Sequence, residues 1–131
     1  MAPIHDAARK GDVAVLSGLL DGDPGLADAE DFGEQLPLHL AAMEGHVAAV
    51  GLLLDRGASV DKRGAHDATA LMRACVSGRL AVVKLLLSRG ADPTLVTSSG
   101  YTVLMGAANG RGRGSADGLA VVRLLLKDGR V

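Results

Sequence analysis

Leu38, Leu71 and Leu104 stand 33 residues apart, and each sits in the same short stretch of text. The clearest copy runs from Leu36 to Ala58, LPLHLAAMEGHVAAVGLLLDRGA. Pro37 suits the first turn of a helix, where its missing N–H costs nothing. That helix should run to Glu44 and be broken by Gly45. A second helix, His46 to Arg56, places Val47, Val50, Leu53 and Leu54 on one face. Gly57 can take φ > 0 and stop it. One frame later Thr69-Ala70-Leu71-Met72-Arg73-Ala74-Cys75 leads to Gly78, then Val82 to Leu87, then Gly90. A further frame gives Thr102 to Ala108, then Val121 to Leu126, displaced by six extra residues. In the other direction Pro3-Ile4-His5-Asp6-Ala7-Ala8 leads to Gly11 and to Leu16, Leu19 and Leu20. Helix pairs this short cannot bury an apolar face alone. A repeated helix–turn–helix pattern at fixed period therefore predicts a solenoid, each pair covered by its neighbours.

Bulk properties agree. The 131 residues fit one domain, and 48% are apolar. With one Phe, one Tyr and no Trp, the core must be aliphatic, as close-packed short helices require. A net charge of −1 argues against a nucleic-acid binder that works by neutralising phosphates. The single cysteine excludes an internal disulfide and fits a reducing compartment. No apolar run approaches the roughly 20 residues that span a membrane. The opening MAPIHDAARKGD does not read as a signal peptide. The expected location is cytoplasmic, or nuclear in a eukaryote.

These repeats resemble ankyrin repeats, whose pattern runs T-P-L-H-x-A-A, then G-H, V-V-x-L-L-L and G-A-D. The second repeat keeps Pro37, Leu38, His39, Ala41, Ala42, Gly45 and His46, with Leu36 where Thr is usual. The third keeps Thr69 and Leu71 but has Ala70 and Met72 for Pro and His. The fourth keeps Thr102, Leu104, Ala107 and Ala108 but has Val103 and Met105. These departures should weaken capping in the third and fourth repeats. The resemblance implies an all-α ankyrin-repeat solenoid of four stacked helix pairs with β-hairpin-like finger loops. It forms a single domain over 1–131, with repeats at about 1–30, 31–63, 64–96 and 97–131. Finger tips are expected at 31–35, 64–68 and 97–101, lining a concave face with the first helices behind them. The second repeat is also similar to repeats of the small four-repeat inhibitors of cyclin-dependent kinases.

Within the chain, the first pair carries Asp6, Arg9, Lys10, Asp12 and Ser17, as a terminal repeat facing water should. Leu26 should anchor the connection from 21 to 31. The stretch NGRGRGSADGLA, 109–120, holds the six-residue insertion and is expected to project and move. Ser115 or Asp117 could cap the helix after it. The last helix keeps Val121, Val122, Leu124, Leu125 and Leu126 without polar replacements. A terminal repeat should be more polar. Its flank, around Val122 and Leu125, is therefore expected to meet further repeats of a longer chain or a subunit.

No constellation for chemistry emerges. His5, His39, His46 and His66 are scattered over three repeats with no ligand spacing, so no metal or other cofactor is expected. The resemblance gives His39 a structural role, its ring bonding nearby backbone. Cys75 shares its repeat position with Ala42 and Ala108, which points to a small buried side chain. A cysteine-dependent enzyme is the least favoured reading, since a nucleophile needs an accessible thiolate and a base. The glycine-rich stretch lacks the strand and the GK[ST] ending of a phosphate loop. Glu30, Asp31 and Glu34 read as a solvated rim able to meet basic groups of a partner. No catalytic residues are assigned.

Positions that the stack does not need are free to bind. In the fingers these are Phe32, Gln35, His66, Ser99 and Tyr101. On the first helices the candidates are Leu40, Met43, Glu44 and Arg73, with Arg9, Ser77 and Asn109 beside them. Phe32 and Tyr101, the two aromatic residues, both fall in fingers, and aromatics and Arg are favoured interface anchors. The expected function is a non-catalytic protein–protein interaction module, an adaptor or steric regulator, binding an unidentified protein on the concave face. No nucleic-acid or membrane partner is expected. The alternative is a structural scaffold segment of a longer or oligomeric protein.

Overall fold

The computed structural model describes residues 3–112 and 115–131. Among the described residues there are eight α-helices in four pairs and no strand. The pairs are α1 Pro3–Lys10 with α2 Val13–Gly22, α3 Pro37–Glu44 with α4 Val47–Asp55, α5 Ala70–Val76 with α6 Leu80–Ser88, and α7 Val103–Asn109 with α8 Ala116–Asp128. First helices pack in the order α1, α3, α5, α7, and second helices in the order α2, α4, α6, α8. Each pair thus covers the next, and the core is a column of Leu, Val and Ala. Leu53, Leu86 and Leu125 are fully buried at one repeat position along it. Leu26 packs against this core from the 3-10 turn Pro24–Asp28.

The turns inside the pairs share a device that no single repeat reveals. Gly11, Gly45 and Gly78 close the first helices with φ of 72°, 79° and 68°, a conformation that costs glycine little. Directly over each lies a group from the next repeat. The His46 ring would meet a Cβ on Gly11 at 2.6 Å, and the Arg79 stem one on Gly45 at 2.9 Å. Both side chains reach past the glycine to a carbonyl at the end of the preceding first helix. His46 Nε2 lies 2.9 Å from Arg9 O, and Arg79 Nε donates to Met43 O at 3.0 Å. In the fourth repeat the insertion takes over the task with backbone alone. Arg111 N–H donates to Val76 O at 2.7 Å, and Gly112 covers Gly78.

The insertion therefore differs from the expected projecting loop. Its described part lies against the end of α5, and the residues from Ala116 onward join α8 as extra helix ahead of Val121. Arg113 and Gly114 fall outside the described residues. Ser115 is the cap, its hydroxyl accepting from Gly118 N–H at 2.9 Å. Capping in the other repeats also runs against expectation. Thr69 accepts from Met72 N–H at 3.3 Å while Met72 Sδ accepts from Thr69 N–H at 3.4 Å. Thr102 accepts from Met105 N–H at 3.2 Å. Of the first helices α3, α5 and α7, the one without a side-chain cap is α3, where Leu36 supplies no oxygen. Methionine can replace the missing histidine of the pattern because the threonine before it still bonds the helix start.

His39 braces the stack as the family pattern implies. Its ring is fully buried, with Nε2 3.0 Å from Lys62 O, so Nε2 carries the proton. His5 repeats the arrangement one repeat earlier, its Nε2 lying 2.8 Å from Ala29 O and 3.0 Å from Gln35 O.

Candidate protein-binding face

The three fingers are single hairpin turns rather than ladders. In each, the first residue of the tip donates to the carbonyl of the fifth: Asp31 to Gln35 at 3.1 Å, Gly64 to Ala68 at 3.0 Å, Thr97 to Tyr101 at 3.0 Å. The side chain of Asp31 fastens the first tip, accepting from Gly33 and Gln35 N–H, and these bonds hold its carboxyl below the usual range. The Thr97 hydroxyl fastens the third by accepting from Tyr101 N–H at 3.0 Å. The fourth residue of each tip is left-handed, with φ of 59° at Glu34, 60° at Asp67 and 85° at Gly100. His66 is left-handed as well, at 59°.

Neighbouring fingers are tied along one side. Ala65 N–H donates to Glu34 O at 3.0 Å, and Ser98 N–H to the Asp67 carboxylate at 2.7 Å. Arg63 donates to Asp67 O and Val96 O at 3.0 and 2.9 Å, and its guanidinium lies 3.4 Å from the Asp67 carboxylate. The fingers are thus a row held at fixed spacing.

Four of the nine residues singled out for binding come together. His66, Arg73, Ser99 and Tyr101 line a cleft of about 260 Å³ between the second and third fingers, with Met72 and Val76 of α5 in its wall. The cleft exists because of what stands at one repeat position. Arg73 occupies it in α5, its guanidinium donating to Ala65 O at 3.0 Å. Gly106 occupies it in α7, where a Cβ would lie 3.5 Å from the Tyr101 ring and 3.0 Å from Val76. Tyr101 is half-buried against that gap. Leu40, at the same position in α3, does not belong to a binding surface. It is 3% exposed and part of the core, because an aliphatic chain there turns into the stack.

The remaining candidates lie to the N-terminal side. Phe32 stands at the first tip and is entirely exposed, so its ring packs on nothing in the chain. Glu44 is exposed and Met43 half-buried. Gln35 is half-buried, and its side-chain oxygen is enclosed without a hydrogen-bond partner.

Among the described residues no group of three or more His, Cys, Asp or Glu is placed to hold a metal ion. Cys75 is 1% exposed, and burial pushes its thiol up to about 12, which leaves no thiolate for nucleophilic attack. No helix among the described residues is long and apolar enough to cross a membrane.

The C-terminal end of the stack is open. Leu71, Met72, Cys75 and Val83 are 0–2% exposed because α7 and α8 cover them. Their counterparts one repeat on are Leu104, half-buried, Met105, 42% exposed, Ala108, exposed, and Val122, half-buried. Leu125, expected on this flank beside Val122, is instead fully buried between the helices of its own pair and their neighbours, and Leu119 and Leu126 are the exposed leucines of α8.

Stacked helix pairs with a row of fingers and a cleft between them define a repeat solenoid built to present a surface. The ankyrin-repeat model (three copies) matches residues 4–97, and the chain belongs to the ankyrin-repeat family. It is similar to a probable E3 ubiquitin-protein ligase, XBOS33, of Oryza sativa subsp. japonica, with 43% identity over 125 residues, 93% of this chain and 23% of the relative. An Arabidopsis thaliana E3 ubiquitin-protein ligase, XBAT33, is 50% identical over 70 residues, 53% of this chain and 14% of its own length. The mouse ankyrin repeat and SAM domain-containing protein 6 is 37% identical over 100 residues, 76% of this chain and 11% of its own. The chain thus spans under a quarter of the length of these relatives. Protein–protein interaction is the general role of such a domain.

Proposed function

We propose that this chain is a non-catalytic recognition module, an adaptor or steric regulator, that binds one partner protein across the fingers and first helices, from Phe32 to the cleft at Arg73 and Tyr101. The observation that carries the reading is Phe32. A fully exposed phenylalanine on a fastened finger tip contributes nothing to the stack, and aromatic anchors of this kind dominate interface energetics. Several relatives are named as E3 ubiquitin-protein ligases, and a module that recognises another protein fits the task of presenting it to such an activity. The single buried thiol supports a reducing compartment, cytoplasmic or nuclear. Affinity capture with the intact chain, run beside Phe32→Ala, tests the reading. A partner held by the wild type and lost with Phe32→Ala supports it. A partner captured equally by both removes Phe32 from the interface.

The open end around Leu104, Met105 and Val122 favours a second reading, a scaffold segment whose stack continues in further repeats or another subunit. A longer natural chain in which Met105 and Val122 become protected from solvent would establish it.

A further inference from the structure

Arg73 differs from the other arginines among the described residues in being partly buried with no carboxylate beside it. Arg56, Arg63 and Arg89 each face a carboxylate, Asp21 at 2.7 Å, Asp67 at 3.4 Å and Asp55 at 2.8 Å. Arg73 faces none among the described residues. Its guanidinium is partly withdrawn from water, and burial lowers its proton affinity. One N–H is used, in the bond to Ala65 O, and Nε is enclosed with no acceptor. The bond to Ala65 explains why the side chain is held where it is. It leaves the positive charge and the other N–H groups unanswered. A partly desolvated cation without a counter-ion is costly, and the cost is recovered when a partner brings the anion. The Asp67 carboxylate, from the same finger as Ala65, is bound instead to Ser98 N–H and Arg63. Beside Arg73 the cleft wall includes Ala68, Met72, Val76 and the Tyr101 ring, which suit an aliphatic side chain, with Thr97, Ser99 and His66 completing it.

We propose that this cleft receives an Asp or Glu side chain from an extended segment of a partner protein, with Arg73 as its counter-ion and an aliphatic neighbour of that acid lying against Met72, Val76 and Tyr101. This deepens the concave-face reading and rests on it. A carboxylate fits better than a phosphate group, because a dianion asks for several converging donors and a single guanidinium supplies the positive charge here. His66, exposed at the cleft mouth, adds a ring N–H within the same opening.

The test is selection of random linear peptides displayed on phage against the intact chain, followed by affinity measurement on synthesised winners. Enrichment of Asp or Glu at one position, beside an aliphatic residue, is expected. Replacing that acid by its amide should weaken binding by about tenfold or more, as loss of a charge-assisted bond does. Arg73→Gln should weaken the acidic peptide by the same factor and leave the amide peptide unaffected, and Arg73→Lys should restore part of the preference. Thermal unfolding of each variant shows that the stack is intact. An acid preference that survives Arg73→Gln, or winners that bind with no acid preference or require a phosphorylated residue or a free C-terminus, overturns the proposal while Phe32-dependent binding keeps the concave-face reading. Winners abolished by Met105→Lys and indifferent to both Phe32→Ala and Arg73→Gln overturn the concave-face reading itself. A selection that yields no binding peptide overturns the linear acidic segment proposed here and leaves the concave-face reading to the capture experiment with Phe32→Ala.

Discussion

Arg79 Nε donates to Met43 O at 3.0 Å across the joint between the second and third repeats, and its stem rests on Gly45. The bond ties the end of α3 to the turn that starts α6, so it acts on coupling between repeats rather than on either helix pair alone. Arg79→Ala should cost about 1 kcal/mol, the usual worth of one such bond at the surface. Gly45→Ala should cost more, about 1–2 kcal/mol for the left-handed backbone with a clash against Arg79 added. The double variant should fall short of the sum, since removing Arg79 removes the clash. Urea unfolding of the three variants checks this, and strict additivity would mean that the two residues are independent.

His39 makes stability depend on pH. Burial lowers its ring to about 4 from an ordinary 6.5, the largest cause being desolvation, with the Arg73 charge acting the same way. The unfolded chain therefore binds a proton that the folded chain refuses between these values. The contribution of His39 is fully present above pH 6.5 and is lost as pH falls toward 4, reaching about 3 kcal/mol. Unfolding free energies measured across that window should slope upward with pH, and His39→Gln, less stable throughout, should show a correspondingly shallower slope. An unchanged slope would assign the pH dependence to other groups.

Glu34 and Gly100 hold the same left-handed place in two fingers, at φ 59° and 85°. Glycine there is free of strain, whereas a glutamate pays roughly 1–2 kcal/mol, partly offset by the greater flexibility of an unfolded glycine. Glu34→Gly should raise stability by about 0.5–1 kcal/mol, and Gly100→Ala should lower it by about 1 kcal/mol. A fall in melting temperature for Glu34→Gly would show that its side chain has a stabilising role.

Leu53 and Leu86 are both fully buried at one repeat position, so truncation removes contacts and leaves a cavity in a packed column. Leu53→Ala and Leu86→Ala should each cost about 2–5 kcal/mol, read as a shift of the denaturation midpoint. A smaller cost at either site would show that the stack closes over the gap.

How far the sequence carries can be seen at particular positions. The 33-residue period, Pro37, and the glycines at 45 and 78 express local rules, and the helices appear where these rules put them. His39 and Ser115 also act as their type and place imply. The period aligns positions without saying which of the aligned side chains will be covered. Leu40, Arg73 and Gly106 share one position, yet the first is core, the second lines a cleft and the third makes room for Tyr101. The row of bonds to Arg9, Met43 and Val76 was invisible for a related reason. A histidine, an arginine and a backbone N–H perform it, so no residue type marks the row. Leu125 shares its repeat position with the buried Leu53 and Leu86, so the period places it in the core, whereas Val122 stands where Val83 is covered by the following pair.

The two candidate surfaces can be separated by substitutions chosen for what each side chain touches. Phe32 touches nothing and His66 is exposed, so Phe32→Ala with His66→Ala should leave the unfolding midpoint within about 0.5 kcal/mol of wild type, as surface changes do. Tyr101 is a poorer probe, because its ring fills the space over Gly106 and its loss would also loosen α7. If the partner lies on the fingers, the Phe32 and His66 pair should weaken binding by about 1–4 kcal/mol, since a few anchors carry most of an interface's energy. Met105→Lys with Leu126→Lys changes the open end at two exposed sites and should leave that same partner's affinity unaltered. The reverse pattern, binding kept by the finger variant and lost by the end variant, would move the interface to the C-terminal face. There the counterparts of these positions in the third repeat, Met72 and Leu87, are already packed in the stack, so the incoming surface would have to imitate another repeat.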